Sequence, residues 1–253
     1  QQDDRSGILC AMLLKWIRDG YVNFTMEPGT GWFKKDKYEI DFSGEIPTEN
    51  ILEEKMLGYF REASGDNQIL ENKEFERWCK RNYEEIEDWF NDLIEFEEKE
   101  LKEKGLMKKQ TTYKKFLGID IANEKVVYEP SFRDDIIYTK GLKRFLLDFS
   151  SIEEKEVIEV KLWEEYLMFA SILGIADEVE KQIGKLCPEF NQYSNIDYTY
   201  TMLATRTFMY GGVRSAANAY SAAHSSSYSG GGGFSSFGGG GGGFSGGGGG
   251  GSR

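Results

Sequence analysis

Histidine is almost missing from this chain of 253 residues: one stands at position 224 and none precedes it. Catalysis in which histidine activates a serine or cysteine, and metal sites built on imidazole, are excluded by count from everything before it. Cysteine is scarce as well. Cys10, Cys79 and Cys187 are odd in number, far apart and form no Cys-x-x-Cys pair. Neither a disulfide framework nor a zinc site is expected; they read as free thiols in a reducing compartment. Long apolar runs are lacking. The most apolar stretch, YLMFASIL at 166–173, has about half the ~20 residues that a membrane-spanning helix needs. Positive charge is in deficit, with 31 Lys and Arg against 43 Asp and Glu, a net charge of −12 and a sequence pI of about 4.8. Such a chain is a poor match to a phosphate backbone, where affinity comes from Lys and Arg releasing counterions. It also offers no polybasic patch to an anionic membrane. The opening Gln-Gln-Asp-Asp has no n-region, h-region or cleavage site, and the chain is expected to be a segment of a longer protein.

The residues present divide the chain into blocks. In 1–44, Ile8, Leu9, Met12, Leu13, Trp16 and Ile17 recur at helical spacing, and Asp19-Gly20 ends the helix. YVNFTM and KYEIDF alternate like two strands of a hairpin around EPGTGWFKKD. A helix followed by a hairpin is the back half of a winged-helix unit. In 45–110, Thr48 with Ile51 to Phe60 gives a short helix and Gly65-Asp66-Asn67 a turn. A second helix holds Phe75, Trp78 and Cys79, and Asn82 with Glu85 supplies a capping box for a third. This reads as a second winged-helix-like unit. Its third helix is where such folds place a recognition helix, yet Glu71 to Lys104 carries 13 acidic and 7 basic residues. A solvated acidic helix is expected there.

Residues 111–137 read as a linker or small sheet element, with a hairpin turn at Ala122-Asn123-Glu124 and a break at Pro130. Block 138–192 is a helical hairpin region. Leu142, Phe145, Leu146 and Phe149 form one apolar face. Trp163, Tyr166, Leu167, Ala170 and Leu173 form another, widened by Leu162, Phe169 and Ile172. Gly174 closes that helix, Asp177 is placed to cap the next, and Pro188 stops it. The expected role of the apolar arm is a bundle core that also offers a surface to a partner, with Trp163, Tyr166 and Phe169 as the candidate interaction residues. Residues 193–224 read as loosely ordered, helix or coil. The tail 225–253, almost only Gly, Ser and Phe, cannot bury enough apolar area to offset backbone ordering and is expected to be disordered. The fold class expected is α+β, mostly helical: tandem winged-helix-like units, a helical hairpin and a disordered Gly-rich tail.

GLKRFLLDFS at 141–150, LWEEYLMFASILGIADEV at 162–179 and the terminal Gly/Ser/Phe tail together resemble the C-terminal region of YciQ-like bacterial proteins. This is a family of predicted membrane proteins of unknown function (domain of unknown function 2207). CAMLLKWIRDGYV and FREASGDNQILENKEFERW resemble its earlier cytosolic segments. The resemblance implies a full-length protein in the cell membrane, with a signal peptide, an extracytoplasmic β-domain and membrane spans, and with this region on the cytoplasmic side. Members often carry further spans before the Gly-Leu-Lys-Arg-Phe element, where this chain has the polar IDIANEKVVYE. Membrane association is thus expected through segments absent from this chain. The family has no established catalytic residues, so none carry over.

The function expected is a non-catalytic cytosolic interaction module of a membrane protein, with an unknown protein partner. No catalytic, cofactor or metal residue and no small-molecule ligand is expected. Two alternatives have distinct signatures. A hydrolase using carboxylates alone requires two acids buried in one pocket. Nucleic-acid binding would use Lys15, Arg18, Lys34, Lys35 and Lys37 beside Trp32 and Phe33.

Overall fold

A computed structural model describes residues 2–27, 37–116, 119–148, 160–186 and 198–225. The protein is α+β and mostly helical. Helix α1 (Gln2–Arg18) buries Leu9, Leu13, Leu14 and Trp16. After it come β1 (Asn23–Glu27) and β2 (Lys37–Asp41), paired antiparallel from Asn23 opposite Asp41 to Glu27 opposite Lys37. Helix α2 (Ile51–Ser64) starts under Asn50, whose Oδ1 accepts from the Leu52 and Glu53 amides at 3.0 Å each. The helix begins at Ile51 as expected, but its cap is Asn50 rather than Thr48, and it runs past Phe60 to Ser64. Gly65–Asn67 is a 3-10 turn.

Strand β3 (Ile69–Glu71) pairs with β2, Leu70 opposite Ile40, to give a three-stranded sheet of order β1-β2-β3. One sheet thus draws strands from both sides of position 44. Helices α3 (Asn72–Arg81) and α4 (Tyr83–Glu103) follow. The capping box sits one helix earlier than the sequence pattern indicated. Glu71 caps α3, and its own amide donates to Glu74 Oε2 at 3.1 Å. Asn82 makes no side-chain cap for α4; its amide is used by the Trp78 carbonyl of the preceding helix. The Trp89 indole donates to the Leu52 carbonyl at 2.9 Å and pins α4 to the start of α2.

Strands β4 (Met107–Phe116) and β5 (Ile119–Tyr128) make a separate hairpin. Ala122, Asn123 and Glu124, expected as its turn, lie within β5 opposite Tyr113, Thr112 and Thr111. The last pair of the hairpin is Phe116 opposite Ile119. Pro130 does not break the chain. It is the first residue of α5 (Pro130–Asp148), where its missing N–H costs nothing and its fixed φ suits a helix.

Helices α6 (Val160–Ile172) and α7 (Ala176–Leu186) form the expected hairpin. Gly174, at φ +67°, lets the Gly174 and Ile175 amides reach back to the Ser171 and Ala170 carbonyls. Asp177 lies inside the first turn of α7 rather than capping it, and its carboxylate accepts from Arg206.

The segment left open between helix and coil forms α8 (Tyr198–Ser225), one continuous helix. It packs on α1, α3 and α4 and buries Phe208, Met209, Val213 and Ala216. Phe42, Phe60, Phe75 and Phe208 touch in series, with ring centroids 5.1, 5.3 and 5.4 Å apart. That aromatic series ties β2's end, α2, α3 and α8 into one core. Phe149, Cys187, residues 28–36 and the tail 226–253 lie outside the described residues.

Candidate functional site

Helix α6 has two faces of different character. Leu167 and Ala170 are fully buried against α1, which α6 crosses closely. A Cβ on Gly7 would stand 2.1 Å from the Ser171 carbonyl oxygen, so only glycine permits this approach. At the contact, Cys10 Sγ donates to Ser171 Oγ at 3.8 Å, and that hydroxyl donates to the Leu167 carbonyl at 3.0 Å. Burial pushes the Cys10 thiol up to about 12 despite this hydrogen bond. Burial raises Cys79 as well. Both are protonated thiols in apolar surroundings, inert as nucleophiles.

The other face of α6 is open. Phe169 is 47% exposed and Ile172 45%. With Met168 they form one wall of a groove of about 490 Å³, and Ala11 and Met12 of α1 form the other. The rim is charged and partly paired internally. Lys15 Nζ lies 2.6 Å from Glu49 and 3.3 Å from Glu53. Burial alone would lower Lys15, but its hydrogen bonds to those two carboxylates outweigh that and hold it above the ordinary lysine value. The groove therefore presents an apolar floor and a charged rim, completed by Arg18 and Glu165, on which carboxylates outnumber cations three to two.

Of the three residues singled out from sequence, Phe169 lines this groove. Tyr166 does not; it is half-buried on the side facing α5, its ring edge-on to Phe145 at 5.9 Å. The Trp163 side chain lies outside the described residues. Met12, Met168 and Ile172 complete the wall. Helical spacing marks Met12 and Ile172 only as apolar, because nothing in it says that α1 and α6 are neighbours.

The signatures of the two alternatives can be checked directly. Among the described residues the buried polar side chains are hydroxyls, Ser6, Ser64, Ser171, Thr201 and Thr205, and no carboxylate is buried. Nor do the described His, Cys, Asp and Glu side chains form a group able to hold a metal. The lysines of the proposed basic cluster face carboxylates. Lys15 is paired as above, Arg18 Nε lies 2.8 Å from Asp19, and Lys37 Nζ lies 2.5 Å from Glu39 and 2.9 Å from Glu71. Lys34, Lys35, Trp32 and Phe33 lie outside the described residues.

Helix α6 falls inside a stretch that matches a family model. Residues 136–183 match the predicted membrane protein (DUF2207) C-terminal domain. The match takes in most of α5, all of α6 and most of α7, the part of the chain that holds Tyr166 and Phe169. No curated protein matches the chain, and no solved structure does. Among the described residues no helix is long and apolar enough to cross a membrane.

Proposed function

We propose that this chain is a non-catalytic interaction module of a membrane protein, placed on the cytoplasmic side, and that it docks a protein partner along α6. The observation that carries this is the pairing of Phe169 and Ile172. Two large apolar side chains stand half-exposed, one turn apart, on a helix whose opposite face is completely buried. Exposed apolar area rimmed by polar groups marks contact surfaces, and a helix face with anchors at such spacing suits a partner's apolar side chains. The match of 136–183 to a family of predicted membrane proteins supports the membrane association. Free buried thiols at Cys10 and Cys79 fit a reducing compartment. The inert thiols and the surface-paired carboxylates support a role without bond-making chemistry.

The test is a photocrosslinking amino acid at position 169 of the full-length protein in its native membrane. A discrete adduct is expected, absent with Ile172→Asp and absent when the crosslinker is moved to the exposed Ile94 on α4. An adduct pattern shared by positions 169 and 94, or none at all, overturns the docking surface. Protease protection of a C-terminal tag in intact cells, lost on lysis, is the matching expectation for the cytoplasmic side.

A further inference from the structure

The groove between α1 and α6 has a definite length and a definite charge. On α6, Glu165, Met168, Phe169 and Ile172 fall at i, i+3, i+4 and i+7 of one stripe. On α1, Lys15 and Arg18 follow Ala11 at i+4 and i+7, with Met12 alongside. Each stripe covers about two turns, or about 10 Å at 1.5 Å per residue. We infer that the groove takes a cationic amphipathic helix of a partner protein. Its apolar side chains seat on Met12, Met168, Phe169 and Ile172, and its Lys or Arg side chains face the carboxylates of the rim. This names the chemistry of the partner and rests on α6 being a docking surface.

Three observations point to that occupant. The first is the balance of charge at the rim. Lys15 lies 2.6 Å from Glu49 and 3.3 Å from Glu53, and Arg18 lies 2.8 Å from Asp19. Both rim cations are therefore met by carboxylates of this chain. Glu165 is exposed and makes no ion pair with a described residue. An incoming Lys or Arg meets Glu165 without breaking an existing pair, whereas an incoming Asp or Glu meets a surplus of its own sign. The second is the net charge of the whole chain, −12. It draws in a cationic partner. It also opposes two other occupants of an apolar groove, a second copy of this chain and an anionic lipid surface. The third is shape. An open groove between two helices, equally long on both walls, matches a third helix with anchors at i, i+3, i+4 and i+7. Methionine walls adapt to apolar side chains of differing shape.

The test uses the full chain labelled at its methionine methyl groups, and two synthetic helices with the same leucine face. The polar face of one is lysine and alanine; that of its twin is glutamate and alanine. At low salt the lysine helix is expected to move the NMR signals of Met12 and Met168, and to leave the fully buried Met56 and Met209 in place. The glutamate helix should move none. Glu165→Lys, a change at an exposed position, should weaken the lysine helix roughly tenfold, a difference that fades at high salt. Ile172→Asp separates seating from general attraction. It makes the rim more acidic, so attraction alone predicts tighter binding, whereas seating in the groove predicts loss. Equal binding of the two helices overturns the inference, as does binding that Glu165→Lys leaves unchanged or Ile172→Asp leaves intact. Shifts at Met12 and Met168 that appear on concentrating the chain alone make a second copy the occupant and overturn it too. So do the same shifts on adding phosphatidylglycerol vesicles, which would make the occupant a lipid surface. If the lysine helix does no better than its twin while position 169 still forms its adduct, the docking surface stands and the cationic partner falls. If the lysine helix fails and position 169 forms no adduct, both fall.

Discussion

At the scale of single residues, glycine decides how closely helices meet, and two adjacent glycines of α8 differ in what surrounds them. A Cβ on Gly212 would lie 2.2 Å from Cε1 of Phe75 and 3.1 Å from Cys79 Sγ, both fully buried on α3. A Cβ on Gly211 would meet only the end of the Glu76 side chain, at 2.7 Å. A packed core ring cannot yield without cost, whereas a carboxylate arm can swing away. Gly212→Ala should therefore destabilise by about 1–3 kcal/mol. Gly211→Ala should be neutral or stabilising by up to about 1 kcal/mol through helix propensity. Urea unfolding of the two variants checks this, and equal losses would contradict the packing argument. The sequence shows the pair as Gly-Gly and nothing more; the asymmetry comes from α3, some 130 positions earlier in the chain.

At the scale of elements, the β4–β5 hairpin is the least supported part of the fold. Two strands with no third neighbour are marginal by themselves. The hairpin is held at its base, where Met107 is buried and Lys109 Nζ lies 3.1 Å from Glu98 of α4. Hydrogen bonds from Lys109 and Lys102 hold the Glu98 carboxyl below its ordinary 4.5. A depressed folded-state value means the contribution is complete above about pH 4.5 and is lost as pH falls through the lower folded value. On acidification from about pH 6 to about pH 3, the β4 amides that bond across to β5 near Lys109 should lose exchange protection ahead of those in α1. Lys109→Ala should remove most of that extra pH sensitivity. Retained protection down to about pH 3 would show that Met107 alone holds the arm. Some strand character of this segment was legible in YKKFLGIDI and KVVYE. Its turn was not, because Ala-Asn-Glu is as polar as a turn and the register is fixed by ten cross-strand pairs rather than by local composition.

At the scale of the whole molecule, α8 closes the core. Met202, Phe208, Met209 and Val213 are buried in it, touching α1 and α3. Burying side chains of that size is worth about 1.5–3 kcal/mol each, together comparable with the roughly 5–15 kcal/mol that holds a domain folded. Ending the chain after residue 197 should abolish cooperative unfolding. Ending it after Ser225 should leave the urea midpoint almost unchanged. A cooperative transition in the shorter chain would mean that α8 only decorates the fold.

The amino-acid sequence alone set most of the early helices and three of the stops. Gly20, Gly105 and Gly174 end α1, α4 and α6 with positive φ, because a left-handed cap is a local demand that only the residue at that position can meet. It also determined the want of histidine chemistry ahead of His224 and the half-length of the apolar run, both matters of count. Tertiary structure alone decided which apolar faces meet. Residues 198–225 are rich in Ala, Ser, Thr and Gly, with a weak apolar stripe and no resolved helix signal of their own. They are helical because α1 and α3 present a surface close enough for small side chains to fill. The groove has the same origin. Met12 and Phe169 belong to two separate helical patterns, 157 positions apart, until burial of Leu167 and Ala170 on α1 leaves them lining the same groove. Burial is a property of pairs of elements, and no periodicity within one element states which partner it will find.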